Sequence, residues 1–200
     1  MKNEQGEKAL RKYLQPYVAI AKDHGVGFVL ESATWRASPD WAEKLGYTAE
    51  ALAEANRKAI RILQEIRDEH ESDRTKMVIS GCIGPRGDGY SPENTMTEEE
   101  AERYHAVQIS TFADTEADMI TAITMTHSEE AIGVTRAATT AGLPAVISFT
   151  VETDGKLPTG QALKDAIEQV DSATDSGPVY YMVNCAHTTH FDDALAAGEA

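Results

Sequence analysis

The strongest constraint on the fold is an alternation. Short apolar runs recur between amphipathic segments of helical period. Phe28-Val29-Leu30, Met77-Val78-Ile79, Asp118 to Ile123, Ala145 to Phe149 and Val179 to Val183 read as buried strands. Between them, residues 48–70 carry Leu52, Ala55, Ala59, Ile62, Leu63 and Ile66 on one helical stripe. Thr97 with Glu100 forms a capping box that opens a helix running to about Asp114. Ser128 opens another helix, which stops at Gly142. Thr159 precedes a helix containing Leu163, Ala166, Ile167 and Val170. An amphipathic segment at 7–22 precedes the first strand, with Pro16 expected to weaken or split it. Phe191 to Ala197 can begin a last helix. Strands alternating with helices imply a parallel sheet covered by helices, in the α/β class. About five strands leave two closures open: a doubly wound sheet, or part of a (β/α)8 barrel, which needs more units to close. No G-x-G-x-x-G fingerprint and no phosphate-loop lysine motif is present, which lowers the nucleotide-binding readings.

No low-complexity linker divides the chain, so residues 1–200 are expected to form one domain. Its 33 acidic and 18 basic residues leave a net charge of -15, which argues against nucleic acid or an anionic membrane as partner. The chain has 2 cysteines, Cys82 and Cys185, too few for a disulfide framework; a reducing, cytoplasmic setting is expected. No apolar run approaches the roughly 18 residues of a membrane span, and the N-terminus lacks a signal-peptide core.

In either architecture the active face is the carboxyl end of the strands. Strand ends supply Glu31, Ser32 and Thr34; Cys82; Thr124 and His127; Thr150 and Glu152; and Asn184, Cys185, His187 and His190. Cys185 is the best single candidate, because a thiolate is both a soft zinc ligand and a nucleophile. The alternative is a buried structural cysteine. His187 shares its strand parity and His190 is close in sequence. A zinc set of Cys185, His187 and His190, with Cys82 as fourth ligand, is conceivable, although the spacing matches no standard zinc module. Glu31 could hold a substrate amine or act as a base if burial raises its pKa. A salt-bridged rim carboxylate is the plainer reading. Trp35 and Trp41 are expected to pack in the core, His127 to lie on the surface, and His105 to be a packing or solvent residue.

Four stretches carry a resemblance. They are Leu30-Glu31-Ser32-Ala33-Thr34-Trp35, Ile79 to Gly87, Leu143 to Thr150, and Met182-Val183-Asn184-Cys185-Ala186. They are similar, in order and spacing, to the E-T-N-T-F/Y, G-S-I-G-P-x-G, P-V-x-I-S-F-T and G-V-N-C segments of the homocysteine S-methyltransferase family. The resemblance implies a TIM barrel of the (β/α)8 type, here incomplete, with about five to six βα units. It implies Zn2+ at the barrel mouth, methyl transfer to the thiol of homocysteine or a related thiol, and a small-molecule methyl donor. Cys185 stands at the family's first zinc cysteine. Glu31, Ser32, Thr34 and Asn184 fall at substrate-facing positions. The family's adjacent cysteine pair and its first strand have no counterpart here, and Ile123 stands where the family has a glutamate. Completion of the metal site is therefore expected from His187, His190 or Cys82, or from a partner, or else methyl transfer is absent. Two unclosed sheet edges suggest a homo-oligomer. The competing readings are a non-catalytic barrel-derived protein acting by association and a zinc hydrolase using Cys185, His187 and His190.

Overall fold

A computed structural model describes residues 3–92 and 95–195. The chain opens with helix α1 (Glu4–His24) and then enters β1 (Phe28–Glu31). A short helix α2 (Pro39–Lys44) and a long α3 (Ala49–His70) lead to β2 (Met77–Ile83). There follow α4 (Glu98–Ala113), β3 (Met119–Met125), α5 (Ser128–Thr140), β4 (Ala145–Thr150), α6 (Leu163–Thr174) and β5 (Pro178–Asn184). A single 3-10 turn (Thr188–His190) and α7 (Asp192–Leu195) close the described chain; Ala196 and Ala197, expected in that last helix, lie outside it.

Local chemistry explains the boundaries. Asn3 caps α1, accepting from the Gly6 N–H, and Gly25 ends the helix in the left-handed conformation. Pro16 does not split α1, contrary to the sequence expectation. Its ring faces solvent, while Leu14, Val18 and Ala21 anchor the helix on the other side. Thr48 caps α3, and the Thr97–Glu100 capping box forms at α4 as read from sequence. The α2 helix was not anticipated; its start is marked only by Pro39 in its first turn.

The sheet order is β1-β2-β3-β4-β5, all parallel. Each strand lies beside its predecessor, so the order never reverses as it must in a doubly wound sheet. This is barrel-type winding and it decides between the two closures. Leu30, Ile79, Ile120, Ile147 and Phe149 join Leu63, Ile109, Phe112, Ile132 and Val170 from the helices in one core. Gly81 lets the Phe112 ring lie against β2; a Cβ there would fall 2.7 Å from the ring. Among the described residues β1 and β5 each pair on one side only. Val29 and Val78, side by side in register, remain 41 % and 37 % exposed on the face opposite Leu30 and Ile79.

Candidate functional site at the strand ends

The carboxyl ends of the strands carry a continuous polar layer. Ser80 Oγ donates to Glu31 Oε1 at 3.0 Å and pairs with Thr121 Oγ1 at 2.7 Å. Glu31 is largely buried, and that burial pushes its carboxyl up to about 7, against the opposing hydrogen bonds from Ser80, Cys82 and Thr121. The Cys82 thiol is buried beside it; burial first, then the Glu31 charge, push the thiol well above its usual value. Cys82 is therefore held as a neutral thiol in this arrangement.

Ser32 and Thr34 are buried and fully engaged. Ser32 Oγ accepts from the Cys82 N–H at 2.9 Å and lies 2.6 Å from Thr34 Oγ1. Thr34 Oγ1 in turn donates to the Cys82 carbonyl at 2.8 Å. Since the Thr34 proton goes to that carbonyl, Ser32 is the donor to Thr34. The two hydroxyls thus stitch the end of β1 to β2. Trp35 Nε1 donates to the Ile123 carbonyl at 2.9 Å, folding this segment across to β3. Gly84 permits the approach, because a Cβ there would sit 2.4 Å from the Trp35 carbonyl oxygen.

Asn184 organises the other side. Its Oδ1 accepts from the Thr124 N–H at 3.0 Å and from Ser148 Oγ at 2.8 Å. Its Nδ2 donates to Thr124 Oγ1 at 2.9 Å and to Cys185 Sγ at 3.1 Å. One amide therefore ties together β3, β4, β5 and the thiol. Thr124 and Cys185 both lie in the left-handed region, at φ 71 and 57. The sheet register shifts at Thr124, between Ile123 and Met125. Positive φ at a β-branched threonine is a strained state that the surroundings must impose, and such strain concentrates at functional sites. Cys185 is exposed, and its sulfur is the main influence that raises the neighbouring Tyr90 phenol.

The histidines divide. His187 is exposed and caps the 3-10 turn: its Nδ1 accepts from the Thr189 N–H at 3.3 Å and lies 2.9 Å from Thr189 Oγ1. His190 sits 6.1 Å from it, ring centre to ring centre. Among the described residues no three His, Cys, Asp or Glu side chains are gathered so as to hold a metal ion. The donor set of Cys185, His187, His190 and Cys82 thus does not fit Zn2+ as it stands: His187 is used as a cap, and Cys82 is a buried neutral thiol beside Glu31. His127 is buried rather than on the surface, and His105 is packed in the interior rather than facing solvent, with its ring hydrogen-bonded to Glu130. His105 Nε2 lies 2.9 Å from Glu130 Oε1, which also accepts from the Arg86 N–H at 2.7 Å. That carboxylate fixes the loop carrying Tyr90. Trp35 and Trp41 are only half-buried and flank Arg36, contrary to the expectation of core packing.

Sequence reasoning missed Tyr90, Ser80, Thr121 and Ser148. Thr121 and Ser148 lie inside runs that read simply as strand and Ser80 directly follows one, and only their shared parity with Glu31 or Asn184 across the sheet singles them out.

Similarity to known proteins agrees with this geometry. The homocysteine S-methyltransferase family model matches residues 4–199. The fold is similar to that of the homocysteine methyltransferase MmuM from Escherichia coli in its metallated form: TM-score 0.73 and 17 % identity, over 83 % of this chain and 62 % of that one. The oxidized form of MmuM gives TM-score 0.71 at 17 % identity over 81 % and 58 %, and its apo form gives 0.66 at 17 % identity over 83 % and 60 %. The chain thus spans about three-fifths of the length of these neighbours. Comparison with curated proteins returns no match. The strand order, the strand-end motifs and a family match spanning nearly the whole chain lead to one assignment: the chain belongs to the homocysteine S-methyltransferase family.

Proposed function

We propose that this chain serves methyl transfer to the thiol of homocysteine, or a close relative of it, giving methionine or its analogue. The observation that carries the reading is the Asn184 node. It holds an exposed thiol, Cys185, at a strained end of β5 tied to β3 and β4. A family enzyme needs such a thiol there, facing the mouth. Among the described residues Cys185 is the exposed thiol that would hold a metal there, and the further ligands would have to come from outside those residues.

The chain's own residues perform the rest. Glu31 is the carboxylate available to a substrate ammonium, in place of the one absent at Ile123; a cation beside it would favour its ionised form. Ser80 and Thr121 hold its orientation. Ser32 and Thr34 contribute by fixing the β1–β2 end rather than by offering free hydroxyls. The methyl donor is a small molecule. No helix among the described residues is long and apolar enough to cross a membrane. The test is methionine formation from homocysteine with S-methylmethionine or betaine and supplied zinc, read by mass spectrometry. Product from the wild type and at least about a hundredfold less from Cys185→Ala supports the reading. Equal yields contradict it.

A second reading, association through the sheet edges, has one observation in its favour. β1 and β5 are unpaired on their outer sides among the described residues, and Val179 and Tyr180 are 63 % and 42 % exposed. The hydrolase reading has no metal site to rest on, since Cys185, His187 and His190 are not gathered to hold an ion among the described residues.

A further inference from the structure

A groove of about 490 Å³ opens between α2 and α3, lined by Trp41, Leu45, Ala51, Leu52 and Ala55 with Arg36 at its edge. Neither Glu31, Cys82, Asn184 nor Cys185 lines it. Its volume suits a small organic ligand. Its walls are mostly apolar, and Leu45 is 65 % exposed there.

The charges at its edge are not balanced. Glu54 is paired with Arg61 at 3.3 Å, Lys58 with Glu7, and Asp40 with Arg86 at 2.9 Å. Arg36 is held between two indoles, 4.5 Å from the ring centres of both Trp35 and Trp41. Lys44 lies 4.7 Å from the Trp41 ring. Among the described residues neither Arg36 nor Lys44 has a carboxylate partner. Arg36 is thus the one cation lining the groove that no carboxylate neutralises among the described residues. Stacking holds the Arg36 guanidinium in place while leaving its N–H edge open to an anion.

We propose that this groove binds a small amphipathic acid, with its carboxylate on Arg36 and its apolar body against Trp41, Leu45, Leu52 and Ala55. The proposal does not rest on the methyltransferase reading, because binding is scored without homocysteine, methyl donor or metal.

The probe is octanoate, with octylamine as its cationic counterpart, followed by calorimetry and by tryptophan fluorescence. The chain has 2 tryptophans, and both flank Arg36. Octanoate should bind and change the emission, and octylamine should bind at least about tenfold more weakly. Arg36→Gln should weaken octanoate about tenfold. Leu45→Glu, at an exposed position where folding is not at risk, should abolish binding. Equal affinity for the two amphiphiles, no octanoate binding at millimolar concentration, or binding unchanged in both variants would overturn the proposal. So would a dimer in sedimentation that Leu45→Glu dissolves, since that assigns the groove to a second copy of the chain.

Discussion

Burial holds the Glu31 carboxyl at about 7, well above its ordinary value of 4.5, so the folded chain binds a proton there that the unfolded chain releases. Between those two values the native state carries more protons, and stability must fall as pH rises. The contribution is complete below pH 4.5 and is lost as pH passes through about 7. Glu31→Gln should therefore flatten this part of the pH profile and stabilise the protein at pH 8 by up to about 3 kcal/mol, read by urea denaturation. Asn184→Ala has the opposite sign. It strips partners from the Thr124 N–H, Ser148 Oγ and the Cys185 sulfur, and should cost about 2 kcal/mol in the same measurement. Cys185, Asn184 and Glu31 could be found in the sequence because each ends a strand. Tyr90 could not. It sits in a loop whose Arg86 N–H is held by Glu130 on a distant helix, and its nearness to Cys185 follows from the fold and not from local pattern. His105 was misread for the same reason: its partner, Glu130, is on α5, and local pattern carries no trace of the contact.

The strands and main helices follow from period and caps, and these were legible. Pro16 is the instructive miss. A proline inside a helix removes a hydrogen bond and clashes one turn back, yet α1 runs through it because the opposite face is anchored by Leu14, Val18 and Ala21. Tertiary packing has overridden propensity. Since Pro16 is exposed, Pro16→Ala should remove the penalty without opening a cavity and raise stability by about 1–3 kcal/mol. Gly84 illustrates the reverse case, a residue whose identity is forced by a neighbour remote in sequence. Gly84→Ala places a Cβ against the Trp35 backbone and must push that segment away from β3. The expected loss is about 2 kcal/mol or more, with a tryptophan emission shift as the Trp35–Ile123 bond opens. The bulge at Thr124 was invisible to sequence, because a threonine gives no hint of positive φ; only the Asn184 side chain across two strands explains it.

For the molecule as a whole, sequential parallel winding positions five strand ends on one rim, and the chain spends its strained and buried polar groups there. The helices and capped turns supply rigidity, and the core beneath the sheet is shared by all five strands through to α6. The outer edges of β1 and β5 remain free to pair among the described residues, so self-association should be visible in sedimentation and should weaken when Val179 is changed to Lys. The central claim concerns thiol recognition at Cys185, and the most direct measurement compares L-homocysteine with L-homoserine by calorimetry, in zinc-supplemented wild type and Cys185→Ser. The account predicts that wild type prefers the thiol at least about tenfold and that Cys185→Ser loses that preference. Equal affinity for thiol and alcohol in the wild type, or a preference that survives the substitution, would contradict it.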